Sequence, residues 1–175
     1  MKKTLIVVDM QNDFIDMALG TPEAVAIVPN VKAKIREYVE RGDEIIFTRD
    51  THFENYLDTT EGKKLPVPHC IKGTKGWEIV PELNSTPEAI VIDKEHFGYD
   101  GWKNYIKPGD EVVMCGTVTS ICVASNALAI KMIEGVEVTI LAEGCSGLSN
   151  EDHEAALKVM ECCQCTVIRD SAKEA

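Results

Sequence analysis

Six short apolar runs punctuate the chain: Thr4–Val8 (TLIVV), Glu44–Thr48 (EIIFT), Ala89–Asp93 (AIVID), Val112–Cys115 (VVMC), Val136–Leu141 (VEVTIL) and Thr166–Ile168 (TVI). A strand with one wet face alternates apolar and polar residues. Runs that stay largely apolar belong to strands covered on both faces, as in a parallel sheet between helices. Helical patterns separate the runs. Pro29–Arg41 carries Val31, Ile35, Tyr38 and Val39 along one face, with Pro29 suited to a first turn and Gly42 to a C-terminal cap. Thr119–Glu134 reads as a long helix, and Ser149–Cys162 as another capped by Ser149 or Asn150. Tyr99–Lys107 reads as a short helix or turn closed by Pro108-Gly109. The predicted architecture is one α/β domain over residues 1–175: three layers, α/β/α, around a six-stranded, mainly parallel, doubly wound (Rossmann-like) sheet. From Thr51 to Leu83 the chain reads as loop, yet Trp77, Ile79 and Val80 predict that this loop packs.

Charge narrows the partners. A formal net charge of −11 with no basic stripe argues against nucleic acid and against anionic membranes. The opening MKKTLIVVDMQNDF is too short in apolar residues for a signal peptide or a membrane span, so the expected setting is cytoplasmic. The seven cysteines are an odd number in such a setting and read as reduced thiols. Cys162, Cys163 and Cys165 crowd the C-terminal end without a second ligand cluster; a tail zinc site is the weaker reading, and no role is assigned to them. His96 and His153 read as surface or helix-face residues.

Three chemically active side chains share one topological position. Asp9, Lys94 and Cys122 each fall at or just past the carboxyl end of a predicted strand, the rim where open α/β sheets place their chemistry. Taken singly, each has a bland reading: Asp9 as a turn cap, Lys94 as an exposed strand-end lysine, Cys122 as a small core residue. Together they form a nucleophilic set. Cys122 attacks a carbonyl carbon, Asp9 accepts and returns the proton, and Lys94 holds negative charge. The strand-glycine-helix context around Cys122 predicts a thiol at a positive helix end, with a lowered pKa.

A second constellation is Asp50-Thr51-His52 with His69 downstream. Asp50 and His52 stand two apart, so on an extended strand end both point to one side. One carboxylate and two imidazoles suit Zn²⁺, with Fe²⁺ or Mn²⁺ as alternatives, and Glu61 could add a fourth contact. Loop histidines are most often simply solvated, so this signal alone is weak.

The ordered combination of MQNDF, the D-x-H of Asp50–His52, PHCIKGTKGW, Lys94 after VID, and CGTVTSICV resembles the isochorismatase-like cysteine hydrolases, in particular the nicotinamidase/pyrazinamidase branch. The resemblance spans nearly the whole chain. It implies a catalytic triad on Asp9, Lys94 and Cys122 and a divalent metal on Asp50, His52 and His69; Glu61 falls about where some nicotinamidases add a glutamate ligand. It also implies a non-proline cis peptide at Thr117–Val118, with the Val118 and Cys122 N–H groups as an oxyanion hole. The implied activity is hydrolysis of a small carboxamide, nicotinamide to nicotinate plus ammonia, through a cysteine thioester; the implied assembly is a homodimer or tetramer. Phe14 and Phe97 are the candidate aromatic walls of the substrate pocket. Two departures bear on the substrate: Pro66 replaces a tryptophan common in nicotinamidases, and Glu95–Tyr99 differs from the usual serine- and tyrosine-rich form. The alternatives are a hydrolase of carbamoyl or ureido amides and, more distantly, a non-catalytic binding or thiol-sensing protein. Cys122 counts against isochorismatase itself, whose branch lacks the cysteine nucleophile.

Overall fold

The computed structural model describes residues 2–84, 86 and 88–169. Six strands form one sheet: β1 (Lys3–Val8), β2 (Glu44–Asp50), β3 (Ile90–Lys94), β4 (Glu111–Thr117), β5 (Glu137–Ser146) and β6 (Thr166–Ile168). Their order is β3-β2-β1-β4-β5-β6, and every pairing is parallel. The chain winds outward from β1 in one direction, then returns to pair β4 with β1 and winds outward in the other. The switch point lies between β1 and β4, so their carboxyl ends open onto a crevice. Asp9 follows β1 directly, and Cys122 lies five residues past the end of β4. Among the described residues, five α-helices accompany the sheet: α1 (Asn12–Ile15), α2 (Pro22–Arg41), α3 (Thr60–Lys64), α4 (Ala124–Lys131) and α5 (Asn150–Cys162). Among the described residues no helix is long and apolar enough to cross a membrane.

The unbroken apolar runs are buried as their pattern requires. Leu5, Ile6, Val7 and Val8 are fully inaccessible, as are Met114, Val138 and Ile140 in the strands beyond. Each such side chain contributes roughly 1.5–3 kcal/mol of transfer free energy. One glycine is obligatory at the centre. Gly116 has φ 128°, and a Cβ on it would stand 2.1 Å from the Val8 carbonyl oxygen. Only a residue without a side chain lets β4 lie this close to β1.

Several boundaries differ from the sequence reading. The second helix begins at Pro22, not Pro29. Thr21 caps it by accepting a 3.1 Å hydrogen bond from the Ala24 N–H, and its buried face is Ala24, Ile27, Val31, Ile35 and Tyr38. Pro29 lies inside the helix. A proline forfeits one backbone bond there, which is why the sequence reading started the helix at it. β4 runs through Gly116 to Thr117, and β5 extends to Ser146 with a register shift opposite Met114–Gly116. The helix expected over Thr119–Glu134 is a π turn, Thr119–Val123, followed by α4, which ends at Lys131. In the π turn the Val123 N–H reaches back five residues to the Val118 carbonyl, at 3.2 Å. The segment between β2 and β3 is packed, with 3-10 turns at Tyr56–Asp58 and Lys75–Trp77 as well as α3.

Candidate active site and metal centre

At the end of β1 the backbone turns abruptly. Asp9 has φ 50°, a left-handed conformation unusual for a residue with a side chain. Thr48 on β2 braces it: its Oγ1 donates a 2.6 Å hydrogen bond to Asp9 Oδ1 and accepts one of 3.2 Å from the Asp9 N–H. The other carboxylate oxygen, Oδ2, is buried and lies 2.7 Å from Lys94 Nζ. This ion pair is the shortest contact the ammonium makes. The Lys94 ammonium also donates to the His96 carbonyl at 3.1 Å, to Asp50 Oδ1 at 3.3 Å and to Cys122 Sγ at 3.7 Å. The structure thus brings Asp9, Lys94 and Cys122 together, with at most 4% of any of them accessible.

Electrostatics distinguish the three. Burial would push the Lys94 ammonium down, but Asp9, the Cys122 sulfur and Asp50 outweigh it and hold the group charged. Burial raises the Asp9 carboxyl, against the pull of Lys94. The Cys122 thiol is pushed well up, by burial first and by the Asp9 carboxylate next; Lys94 opposes this without prevailing. The expectation of a lowered thiol pKa is therefore corrected. Cys122 sits in the π turn ahead of α4, fully enclosed beside carboxylates, and desolvation of the charged form dominates over a helix end. Cys122 stands beside the Asp9 carboxyl, whose Oδ2 is ion-paired with Lys94.

The second constellation also converges. Asp50 closes β2, and His52 follows on the same side. A short parallel ladder returns the loop: the His52 N–H donates to the Cys70 carbonyl at 2.9 Å, and the Lys72 N–H to the His52 carbonyl at 2.9 Å. His69 is thereby set beside His52. The donor atoms of Asp50, His52, Glu61 and His69 all lie within 4.8 Å of one another. His52 Nε2 is 3.0 Å from Asp50 Oδ2 and 3.7 Å from Glu61 Oε1. His69 Nε2 is 3.7 Å and 3.6 Å from the same two atoms. A tetrahedral ion with bonds of about 2.0–2.2 Å needs its ligands about 3.3–3.6 Å apart, and these four separations lie near that range, so the donor set suits a small divalent ion. His69 Nδ1 is 2.8 Å from the Val67 carbonyl, which fixes the proton there and leaves Nε2 facing the other donors. The Tyr56 ring stands 4.7 Å from His52 and 5.1 Å from His69, and Phe14 stands 5.5 Å from His69. Phe97, on the loop after Lys94, is 45% exposed. The Thr117–Val118 peptide is cis, and the Val118 N–H donates to no backbone carbonyl among the described residues.

Sequence reasoning missed the supports. Gln11 is fully buried: its Nε2 donates to the Asp50 and Trp77 carbonyls at 2.9 and 2.8 Å, and its Oε1 accepts the Asp50 N–H at 2.7 Å. Asp13 Oδ2 accepts the Cys70 N–H at 2.7 Å and so holds the residue beside His69. The signal was present as a polar Gln-Asn-Asp run directly after a buried strand. His153 is more than a helix-face residue, since its Nδ1 lies 2.8 Å from the hydroxyl of buried Thr119. Cys162 and Cys163 are exposed and Cys165 is buried, and among the described residues they form no cluster of donor groups.

Comparison with known proteins gives a family. A model of the isochorismatase domain matches residues 3–172. The chain is 28% identical to a nicotinamidase of Schizosaccharomyces pombe, over 88% of this chain and 87% of that protein. It is 27% identical to the nicotinamidase/pyrazinamidase of Mycobacterium tuberculosis, over 90% and 94%. The crystal structure of Pyrococcus horikoshii pyrazinamidase in complex with zinc superposes with a TM-score of 0.81 at 33% identity, covering 97% of this chain and all of that one.

Proposed function

This chain belongs to the isochorismatase family, and we propose from that premise that it hydrolyses nicotinamide to nicotinate and ammonia through a thioester on Cys122. The observation that carries the reading is the single ammonium of Lys94. It contacts Asp9, Cys122 and Asp50 together and so joins a nucleophilic set to a metal-ligating set at one rim of the sheet. Similarity to nicotinamidases along most of both chains supports the substrate class.

In this reading Cys122 Sγ attacks the carboxamide carbon while its proton passes to the carboxylate of Asp9. The carbonyl π electrons move onto oxygen, and the backbone N–H groups of Val118 and Cys122 receive the oxyanion. A donor of that kind is worth about 3 kcal/mol in the transition state. Collapse breaks the C–N bond, and Asp9 gives its proton to the departing nitrogen, which leaves as ammonia. Water then gives a proton to Asp9 and adds to the thioester carbon. Collapse of this second tetrahedral species breaks the C–S bond, returns the proton to sulfur and releases the acid. Lys94 offsets the negative charge of Asp9 and of the nascent thiolate throughout.

Asp50, His52, His69 and Glu61 would hold the divalent ion; we assign zinc, on the donor chemistry and on the zinc complex of the P. horikoshii relative. When bound, the ion supplies a Lewis-acidic centre for a heteroaromatic nitrogen, which orients the ring rather than activating the carbonyl. Phe14 and Phe97 are assigned as pocket walls. A cytoplasmic homo-oligomer acting on a small molecule belongs to the same reading, and the net charge of −11 supports a small-molecule over a nucleic-acid partner. The test is ammonia release from nicotinamide before and after chelation and zinc add-back. Turnover that chelation stops and zinc restores supports the reading. Turnover of ureido amides but not of nicotinamide would replace it.

A further inference from the structure

One buried amide outside the catalytic and metal sets joins the nucleophile to the loop beside it. Asn126, in α4, is wholly inaccessible. Its Oδ1 accepts the Tyr99 N–H at 2.9 Å and the Trp102 indole N–H at 3.0 Å. Its Nδ2 donates to the Phe97 carbonyl at 3.0 Å and the Cys122 carbonyl at 2.8 Å. Two acceptances and two donations use the full capacity of a carboxamide. The orientation is unambiguous: rotating the amide by half a turn would set NH₂ against two N–H donors and oxygen against two carbonyls.

The backbone of the loop it holds has few other polar anchors. Among the described residues, the backbone of residues 95–100 makes no hydrogen bond to other backbone. Its polar anchors are Lys94 Nζ on the His96 carbonyl and the two Asn126 bonds to Phe97 and Tyr99. Beyond them the Tyr99 ring packs edge-on against Trp102 at 5.5 Å and Gly98 rests on Ser125, where an added Cβ would stand at an ordinary 3.5 Å. The loop leaves β3 at Lys94, carries Phe97 and ends at buried Trp102. Asn126 joins the backbone of this loop at two points to the Cys122 carbonyl.

We propose that Asn126 is a positioning residue, one that fixes the 95–100 loop against the nucleophile turn and so sets the distance between the pocket wall and the attacking sulfur. The proposal rests on the amidase reading for its kinetic consequence and on the hydrogen-bond network alone for its structural one. A misplacement of about 1 Å at a reacting centre can cost about a hundredfold in rate. Loss of Asn126 should therefore move both kcat and KM, whereas loss of a remote packing residue lowers the folded fraction and leaves KM alone.

The experiment pairs amide hydrogen exchange with steady-state kinetics in Asn126→Ala, using nicotinamide as substrate and the zinc-loaded protein. The expected result is at least tenfold faster exchange of the Tyr99 amide, with exchange in β1 and β4 unchanged. A KM raised about tenfold and a kcat lowered at least tenfold should accompany it. Unchanged Tyr99 exchange, or wild-type KM in the folded variant, would overturn the proposal. If Asn126→Ala does not fold, Trp102→Phe decides. It removes one donor to Oδ1, and faster Tyr99 exchange with a two- to fivefold higher KM is expected; no change in either overturns the proposal. If the wild-type chain does not turn over nicotinamide, the amidase reading fails on its own, and the exchange result still decides whether Asn126 holds the loop.

Discussion

Lys94 Nζ lies 2.7 Å from Asp9 Oδ2 and 3.3 Å from Asp50 Oδ1, so one buried ammonium neutralises carboxylates from both halves of the site. Coulomb attraction and desolvation are both large at such a position, and removing one partner leaves buried charge uncompensated. Lys94→Ala should therefore lower kcat/KM by at least a thousandfold and destabilise the fold by about 3–5 kcal/mol. Parallel kinetics and urea unfolding check this. A variant of wild-type stability would mean that Asp9 and Asp50 do not depend on Lys94.

The histidines should separate binding from chemistry. His52→Ala removes an imidazole whose Nε2 is 3.0 Å from Asp50 and 3.7 Å from Glu61. Zinc content measured after dialysis should fall well below one per chain, and KM for nicotinamide should rise steeply. Full zinc retention would count against the four-residue site.

Gln11 acts one step further out, on both backbone groups of Asp50. Partners of metal ligands typically cost about 10–100-fold in affinity or activity when removed. Gln11→Ala should weaken zinc binding by that factor in a competition titration, with the chain still folded. Unaltered affinity would show that the β2 end holds Asp50 unaided.

The fold was legible because its signal is repetitive: six apolar runs and the helices between them leave few alternatives to a parallel sheet. The convergence of the candidate residues was legible because β1, β2, β3 and β4 all end at one rim, so Asp9, Asp50, Lys94 and Cys122 are neighbours by topology. What the sequence hid was tertiary. Pro29 inside α2 looks like a start, and the π turn at Thr119–Val123 has the composition of an ordinary helix. The direction of the Cys122 shift depends on how much water the fold removes and on which carboxylates it brings near; spacing along the chain carries neither. Asn126 and Gln11 are single amides, and most of their partners are distant in sequence.

Alkaline stability tests the buried thiols away from the site. Burial pushes Cys145 up to about 12 and Cys115 well above the ordinary thiol value. Folded-state values above the unfolded value mean that the unfolded chain releases protons first. The contribution is therefore intact below about pH 8.5 and is lost as pH rises toward the folded values. Each thiol should remove about 1.4 kcal/mol per pH unit once its unfolded counterpart is ionised. Urea unfolding between about pH 8 and 11 should show a slope shallower by one proton in Cys145→Ala. An unchanged slope would mean that Cys145 ionises in the folded protein.

The central claim is a covalent intermediate on Cys122, and the direct measurement is acid-quenched mass spectrometry of the zinc-loaded protein mixed with nicotinamide for milliseconds. The account predicts a transient gain of one nicotinoyl group on the peptide that carries Cys122, absent in Cys122→Ala, which should also release no ammonia. Ammonia release by Cys122→Ala above background, or an acyl group found on another residue, would contradict it.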